Sequence, residues 1–340
     1  MRILVIRTSA MGDVALTAPV LGAMNLQFPG TEIIMLTRPA FAPFFSFLAV
    51  TIFTPDFRGR HKGFPGIFRL HKDLNNLGKI DRVIDIHDVI RTRILRILYR
   101  LQGIPVSVID KGRREKRALI RGTGKIQLKH TIERYCDAFA KAGFNIEPIK
   151  GRSIFVTGAA EEKTPEIPGY SGINIGVAPY AKHHLKSWPE ENMVSLLSHI
   201  SEKYKVRFWL FGGKEEEEKL KNFEKKVKGS TNLSGRLSLS GELAVISRLD
   251  FMIAMDSSNM HMAALTGTKA VSIWGGTDPL NGFGAWMQPD NYSIRIPVSE
   301  LTCRPCTTYG KGRCRRGDLA CLNWLTPEIV FEKLEQLKLF

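Results

Sequence analysis

Residues 250–279 read DFMIAMDSSNMHMAALTGTKAVSIWGGTDP. Residues 251–255 form a short apolar run typical of a buried strand, and residues 269–274 form a second one. Between them, residues 256–259 (Asp-Ser-Ser-Asn) are of the kind that caps helix starts, and Gly267 closes the helical stretch that follows. The stretch therefore predicts a strand, a turn, a helix and a second strand in succession.

The start of this predicted helix carries hydroxyl groups and open backbone N–H groups. Such a helix start attracts phosphate, because unpaired N–H groups and the helix dipole both favour an anion. His261 falls within the first turn of the helix, close to the same point. Two interpretations are open: a phosphate-binding turn, or a helix in which Asp256 is only an N-cap and His261 a satisfied surface histidine.

The alternation of strands and helices runs through the whole chain. It begins with a strand at residues 2–7 and restarts at residues 173–178, after the Pro-, Gly- and Glu-rich stretch 158–172. A chain of 340 residues is also too long for a single ordinary core. We therefore predict an α/β protein with two doubly wound, Rossmann-like domains that face a cleft.

The predicted organisation has four parts: a first Rossmann-like domain at 1–158, a linker at 159–172, a second Rossmann-like domain at 173–325, and a C-terminal helix at 326–340. Thr326 caps the last helix and Pro327 occupies its first position, and this helix could pack back toward the first domain. Further predicted strands are residues 32–37, 49–53, 82–86, 106–109 and 206–211, and further predicted helices are residues 14–28, 189–203, 215–228 and 241–249.

Charge is distributed unevenly along the chain. The net charge is +16, and residues 1–150 hold 25 Lys and Arg against 12 Asp and Glu. Much of the excess lies in residues 91–129, which are either a solvated basic face or a surface for a large anionic partner such as a phosphorylated lipid or a membrane. We find no nucleic-acid-binding motif, so we expect no nucleic-acid partner.

The apolar segments are short. No stretch approaches the roughly 20 apolar residues of a membrane span, and residues 1–6 are only a strand's length before Arg7, so we expect no signal peptide and a cytoplasmic enzyme.

Four cysteines cluster in a Gly- and Arg-rich region: Cys303, Cys306, Cys314 and Cys321. Only one C-x-x-C pair is present, and two interpretations of the cluster are open: a tetrahedral zinc site, or reduced structural thiols.

Three loops follow predicted strands and carry residues suited to chemistry. Asp13 follows the first strand and is either the N-cap of a helix starting at Val14 or a carboxylate at the sheet edge. Lys186 lies before the helix of residues 189–203, where a lysine can contact phosphate or remain solvated. Glu215 and Glu216 open another helix and could also hold a ribose hydroxyl.

Taken together and in order, these motifs resemble family-9 glycosyltransferases, whose best-known members are heptosyltransferases of lipopolysaccharide core synthesis. The resemblance rests on Met-Gly-Asp at 11–13, Lys-x-Trp-Pro at 186–189, Asp-Ser-x-x-Met-His at 256–261 and Gly-Thr-x-Pro at 276–279. It covers residues 2–329, and the cysteine-rich segment also looks like one found in many members. Ser258 departs from the pattern, because the family commonly has glycine there.

The resemblance implies a GT-B architecture in which the first domain takes the acceptor and the second the nucleotide-sugar. By matched motif, Asp13 looks like the general base and Lys186 like the residue that holds the donor phosphates. Asp256, Ser257 and Ser258 resemble the phosphate-facing turn beside His261. Glu216, or Glu215 if the loop shifts by one residue, is similar to the residue that holds the ribose.

The expected reaction is inverting transfer of a sugar from a nucleotide-sugar, with ADP-heptose favoured as the family's commonest donor. The expected acceptor is a phosphorylated lipid A–core glycolipid, so we expect a cytoplasmic protein held peripherally at the inner membrane. No Asp-x-Asp pair occurs, so we expect no metal on the diphosphate and no cofactor. Two alternatives remain open: a Rossmann-type oxidoreductase, disfavoured by the missing G-x-G-x-x-G, and a non-catalytic polyanion binder.

Overall fold

The computed structural model describes residues 1–123, 125–150 and 171–340. These residues form two compact units. The first unit consists of Met1–Lys111 and Thr131–Lys150, and the second consists of Gly112–His130 together with the described residues from 171 onward. The predicted linker at 159–172 lies almost entirely outside the described residues.

The first unit is built on a parallel sheet of five strands in the order β3-β2-β1-β4-β5. The chain runs outward from the central strand β1 first on one side and then on the other. The loops that follow β1 and β4 therefore meet at the carboxyl edge of the sheet, where such folds bind ligands. The strands are β1 (Arg2–Ile6), β2 (Glu32–Leu36), β3 (Thr51–Phe53), β4 (Arg82–Asp85) and β5 (Val106–Val108).

Helices cover this sheet, and one of them differs from its prediction. The predicted helix at 14–28 is two helices, because Pro19 has no N–H to donate and its ring would clash with a carbonyl one turn earlier. The helices of the first unit are α1 (Met11–Ala15), α2 (Ala18–Gln27), α3 (Gly63–Asn75), α4 (Ile90–Leu101) and α6 (Thr131–Ala140). Helix α5 (Arg113–Arg121) lies between α4 and α6 in the sequence but belongs to the second unit.

The second unit has a parallel sheet of six strands in the order β11-β10-β9-β6-β7-β8. The central strand β9 is buried at all five positions, as expected for a strand covered on both faces. The strands are β6 (Ile173–Ala178), β7 (Val206–Leu210), β8 (Ser230–Asn232), β9 (Phe251–Met255), β10 (Lys269–Ile273) and β11 (Ser293–Ile294).

The helices of the second unit complete the alternation that the sequence predicts. Thr326 accepts a hydrogen bond from Ile329 N and Pro327 is the first helical residue, as predicted for the last helix. Besides α5, the helices are α7 (Glu190–Lys203), α8 (Glu217–Lys226), α9 (Leu239–Ile246), α10 (Ser258–Thr266), α11 (Ala320–Asn323) and α12 (Pro327–Gln336). Two Rossmann-like units are thus present, and the predicted α/β class with two doubly wound domains is confirmed.

Two assignments of segments differ from the predicted domains. Helix α12 packs on α7 of its own unit, where Tyr204 stacks on Phe340 with ring centroids 4.3 Å apart. Helix α5 also packs with the second unit, because Lys116 lies 4.1 Å from the centre of the Phe283 ring. Hydrogen bonds from Lys125 Nζ to the carbonyls of Val298 and Thr302 continue this attachment.

The placement of Gly112–His130 changes how charge is distributed between the units. The first unit holds 18 Lys and Arg against 11 Asp and Glu, and the described residues of the second hold 29 against 19. Both units are therefore basic, and the concentration of charge in the first half of the sequence is not a property of one folded unit. Among the described residues, no helix combines the length and apolar character needed to cross a membrane.

Candidate active site

In the first unit, Asp13 lies at the carboxyl edge of the sheet, in the helix that follows β1. Helix α1 begins at Met11, so Asp13 is its third residue, and the interpretation of Asp13 as an N-cap before Val14 is wrong. Its Oδ2 lies 2.8 Å from Nη2 of Arg7 and accepts a 3.4 Å hydrogen bond from Ala10 N. The side chain remains 25% exposed, so a substrate can reach it.

The Asp13 carboxylate is oriented by neighbours that hold only one of its oxygens. Arg7 is itself fixed, since its Nη1 donates a 2.6 Å hydrogen bond to the carbonyl of Ile86. Tyr135 donates its hydroxyl to the backbone carbonyl of Asp13 at 3.0 Å. In the described part of the chain Oδ1 of Asp13 has no partner, so this oxygen is available to accept a proton.

His87, in the loop after β4, anchors the loop that precedes Asp13. Its Nδ1 lies 3.2 Å from the Thr8 hydroxyl and its Nε2 lies 3.1 Å from the Ser9 hydroxyl. Burial, followed by the positive charges of Arg7 and Lys111, lowers the pKa of His87 to about 3. The imidazole is therefore neutral at physiological pH and can both donate and accept a hydrogen bond.

The low pKa of His87 predicts a specific contribution to acid sensitivity. An unfolded histidine takes up its proton near pH 6.5 while the folded protein holds His87 neutral to about pH 3. The unfolded state therefore binds more protons in this window, and stability falls as the pH is lowered through it. We expect His87→Asn to reduce the loss of unfolding free energy between pH 7 and pH 4 by about 2–3 kcal/mol, measured by urea unfolding. Parallel pH profiles of the variant and the wild type would contradict this.

In the second unit, Lys186 and the buried Asp256 form a partly buried ion pair at the carboxyl edge of the sheet. The Lys186 Nζ lies 2.7 Å from Oδ2 of Asp256, and the two side chains are 16% and 7% exposed. Asp256 follows β9, and Lys186 ends a short 3₁₀ turn after β6, the strand paired with β9. Because the carboxyl ends of neighbouring parallel strands meet, residues 70 positions apart come together. The interpretation of Lys186 as a solvated, idle loop lysine is therefore wrong.

The helix start beside this ion pair is the turn for which the sequence predicts phosphate binding. Ser257, not Asp256, is the N-cap of α10, and its side chain makes no cap hydrogen bond. The Ser257 hydroxyl is buried without a hydrogen-bond partner among the described residues, although buried hydroxyls are normally paired. Ser258 is the first helical residue, and His261 lies in the same first turn and is buried, so the surface-histidine interpretation is wrong.

Two residues without a predicted role support this arrangement. Thr277 donates its hydroxyl to Oδ2 of Asp256 at 2.7 Å. Arg304, which is 1% exposed, donates to the carbonyls of Gly275 and Thr277 at 2.7 Å and 2.9 Å. Its Nη2 also lies 3.3 Å from Oδ2 of the fully buried Asp278. Arg304 therefore holds the loop after β10 that presents Thr277 to the ion pair.

Removing the Arg304 side chain is expected to destabilise the second unit strongly. Arg304→Leu would leave the Asp278 carboxylate buried with only Arg295, whose Nε is 3.7 Å away. Breaking a buried ion pair from one side costs about 3–5 kcal/mol, so we expect a loss of that size in urea unfolding. Adding Asp278→Asn to the variant should recover part of the loss. A change below about 1 kcal/mol would show that the pair contributes no more than a surface ion pair.

The two predicted ribose-binding glutamates differ in their environments. Glu216 is partly buried, and its Oε2 accepts a 2.9 Å hydrogen bond from Gly213 N, which makes it the carboxylate of a capping box. Glu215 is exposed. Both lie in the 3₁₀ turn Lys214–Glu216 after β7, so the acidic helix start is present and a ribose-binding role for either residue stays a prediction.

Comparisons with known proteins match most of the chain. The profile described as Glycosyltransferase family 9 (heptosyltransferase) matches residues 67–312. The chain belongs to glycosyltransferase family 9. It is an enzyme of the glycosyltransferase class, and the oxidoreductase and non-catalytic interpretations are set aside.

Relatives of this family 9 glycosyltransferase agree in length. It is 23% identical over 323 residues to lipopolysaccharide heptosyltransferase 1 of Escherichia coli O18:K1:H7, covering 89% of this chain and 94% of the relative. A family 9 glycosyl transferase from Veillonella parvula superposes with a TM-score of 0.74 at 19% identity, covering 99% and 96% of the two chains. The E. coli heptosyltransferase WaaC with ADP superposes with a TM-score of 0.71 at 23% identity, covering 99% of each chain.

The cysteine cluster of the family 9 glycosyltransferase consists of thiols without a disulfide. Burial raises the pKa of Cys306 and raises that of Cys321 to about 11, so both remain protonated at neutral pH. Within residues 1–123, 125–150 and 171–340, no group of three or more His, Cys, Asp or Glu side chains is placed to hold a metal ion. The geometry thus favours the interpretation as reduced structural thiols.

Proposed function

We propose that this glycosyltransferase transfers a heptose from ADP-heptose to a lipopolysaccharide core or related glycolipid acceptor. The observation that carries this proposal is the partly buried Lys186–Asp256 pair beside the start of α10, where the Ser257 hydroxyl has no hydrogen-bond partner among the described residues. A cation, a free hydroxyl and a helix start together favour a diphosphate. The heptose and the adenine follow from the similarity to heptosyltransferases, one of which binds ADP.

In the proposed reaction, Asp13 is the general base. The acceptor hydroxyl gives its proton to Oδ1 of Asp13, the oxygen without a protein partner, while its own oxygen bonds to the anomeric carbon. The bond between that carbon and the donor phosphate breaks, and its electron pair goes to the phosphate oxygen. Attack on the side opposite the leaving group inverts the anomeric configuration. General-base assistance of this kind contributes about 10²–10⁴-fold.

The departing diphosphate gains negative charge as the bond breaks. Lys186 and the amides at the start of α10 would stabilise this charge more in the transition state than in the ground state. Asp256 and Thr277 hold Lys186 in place before the donor arrives. We propose that these groups suffice without a divalent metal, and that Glu216, the more buried of the two glutamates, contacts the ribose.

The acceptor class sets the proposed location of the enzyme. A lipid A–core acceptor is phosphorylated and embedded in a membrane, and both units of this chain carry excess positive charge. We therefore propose a cytoplasmic enzyme held peripherally at the inner-membrane surface. Attraction of this kind weakens with ionic strength, so membrane association that does not change with salt would count against it.

A panel of nucleotide-sugars tests the proposed donor directly. The purified enzyme is incubated with a core-type acceptor and, in separate reactions, ADP-heptose and the ADP- and UDP-forms of hexoses, and the released nucleoside diphosphate is measured. We expect ADP release that depends on both ADP-heptose and acceptor, with no effect of EDTA. Release of UDP from a UDP-hexose at a higher rate would overturn the donor, and inhibition by EDTA would overturn metal independence.

A further inference from the structure

The outer surface of α4 carries apolar side chains that the core does not use. Leu101 is 79% exposed, Ile90 is 78% exposed and Ile97 is 53% exposed. At 3.6 residues per turn, positions 90, 94, 97 and 101 fall within about 60° of one another around the helix axis. They form one stripe along the helix, and Ile94 within it is partly buried. Single exposed apolar residues are ordinary, but an ordered row is characteristic of an interaction surface.

Arginines flank this stripe. Arg93 and Arg100 lie on one side of it and Arg91 on the other, and α4 contains no acidic residue. Arg93 is half exposed and pairs with Asp88 in the preceding loop at 3.1 Å. The fourth arginine of the helix, Arg96, turns inward to Asp85 and Asp88. An apolar stripe bordered by arginines on both sides is the pattern of a helix that lies in the interface of an anionic bilayer.

Helix α3 packs beside α4 and carries two exposed phenylalanines of its own. Phe64 and Phe68 are 60% and 45% exposed and contact each other with ring centroids 5.2 Å apart. One turn further along this face, His71 packs on the Tyr99 ring of α4 at 4.6 Å. The two phenylalanines therefore lie on the side of α3 that is next to α4. We call the surface formed by Phe64, Phe68, Ile90, Ile97, Leu101 and the flanking arginines the α3–α4 face.

Charge decides which partner fits this face. A second copy docking the same face by two-fold symmetry would bring arginines against arginines, because the patch must contact itself. An anionic phospholipid surface has no such conflict: its phosphates pair with arginine, and its acyl boundary takes up the apolar stripe. Burial and the nearby charge of Arg38 lower the pKa of Arg91, and neither arginine has an ion-pair partner in the described part of the chain, so an anionic surface would offset this repulsion.

We propose that the α3–α4 face of the first unit docks on the surface of an anionic phospholipid bilayer. The inference deepens the proposed function and rests on its membrane-embedded acceptor. The face begins at Ile90, three residues after His87, which contacts the loop that carries Asp13. A surface depression of about 500 Å³ lined by Asp88, Val89, Ile90, Arg91 and Arg93 lies at that end. Docking there would bring lipid headgroups to the edge of the sheet where Asp13 lies.

The test measures binding of the full-length protein to vesicles by flotation. Vesicles contain either phosphatidylcholine alone or phosphatidylcholine with phosphatidylglycerol. We expect binding only to the anionic vesicles, and at least a tenfold lower partition coefficient for Ile97→Gln/Leu101→Gln, because two exposed apolar side chains lose their burial in lipid. Arg100→Gln should lower the coefficient by about fivefold. Gln is a good helix former, and melting curves check that the variants remain folded.

Two control variants test whether any loss of vesicle binding is specific to the α3–α4 face, or follows from losing any exposed apolar or charged side chain. Leu26→Gln replaces a leucine that is 74% exposed on α2, and Arg236→Gln removes an exposed cation from the second unit; neither should change binding. Equal binding by the Ile97→Gln/Leu101→Gln variant and the wild type would overturn the proposal. So would a change of oligomeric state in sedimentation without an effect on vesicles, which would assign the face to a second copy.

The vesicle-binding test and the nucleotide-sugar test give separate results for the two proposals. If the donor proposal is wrong, the nucleotide-sugar panel fails while the α3–α4 variants still lose vesicle binding. If the docking proposal is wrong, ADP-heptose is consumed normally and the variants bind vesicles like the wild type. Transfer to an acceptor in anionic vesicles should fall with Ile97→Gln/Leu101→Gln, whereas calorimetric binding of ADP should be retained.

Discussion

Asp13→Asn is expected to lower the rate of sugar transfer by about 10²–10⁴-fold. The substitution keeps the shape of the side chain but removes the carboxylate that accepts the acceptor proton. Arg7 is already fixed by the carbonyl of Ile86, and the backbone contact from Tyr135 does not depend on the side chain. We therefore expect the fold of the first unit to persist. The measurement is kcat with saturating ADP-heptose and acceptor, together with calorimetric binding of ADP, which should be unchanged.

The control for Asp13→Asn is the same exchange at a position without a proposed role. Asp290 is 75% exposed and pairs with Arg295 at the surface, and such pairs contribute at most about 1 kcal/mol. Asp290→Asn should leave kcat within twofold of the wild type. If Asp13→Asn kept near wild-type transfer, another group would have to be the base, and the proposed mechanism would be wrong at its first step.

Lys186→Ala is expected to weaken donor binding and slow turnover together. A hydrogen bond to a charged group contributes about 1.5–3 kcal/mol, so the dissociation constant of ADP should rise by about 10–150-fold. The turnover rate should fall further, since the lost cation acts most strongly when the diphosphate leaves. Calorimetry with ADP and initial rates with ADP-heptose measure the two effects separately.

The loss of donor binding in Lys186→Ala has to be distinguished from a loss of stability. The Asp256 carboxylate, which is only 7% exposed, would lose the lysine that pairs with it. The double variant Lys186→Met/Asp256→Asn removes both charges and keeps both shapes, so it should recover thermal stability without recovering donor affinity. Lys221→Ala, which removes a lysine from a surface pair with Glu217, controls for the loss of a positive charge. Donor affinity that recovers along with stability would show that Lys186 acts only on the fold.

The predicted elements were most accurate where local chemistry alone sets them. Helix α10 ends at Gly267, which adopts the left-handed conformation expected of a closing glycine. Strands β9 and β10 match the two apolar runs to within one residue. The short edge strands β8 and β11 were missed, because three and two residues are too few to show a periodic pattern.

The candidate site was only partly predictable. Asp13, Lys186 and Asp256 follow strands and carry charge, and the family resemblance gave each of them a role. Arg304 carries no comparable signal, because its importance lies in hydrogen bonds to residues 27 and 29 positions away. Thr277 belongs to the Gly-Thr-x-Pro motif, but its hydrogen bond to Asp256, 21 positions away, is visible only in the folded chain. His87 was missed for the same reason, since its partners Thr8 and Ser9 lie almost 80 residues earlier.

The α/β class, the two Rossmann-like halves and the family could be predicted from the sequence, and the family resemblance points to the charged residues of the candidate site. These follow from apolar periodicity, capping residues and short motifs, which act between near neighbours in the chain. Only the tertiary structure decided that Gly112–His130 joins the second unit, that Lys186 pairs with Asp256, and that α3 and α4 leave an apolar stripe exposed. Each of these depends on which distant segments pack together, and local preferences do not specify that packing.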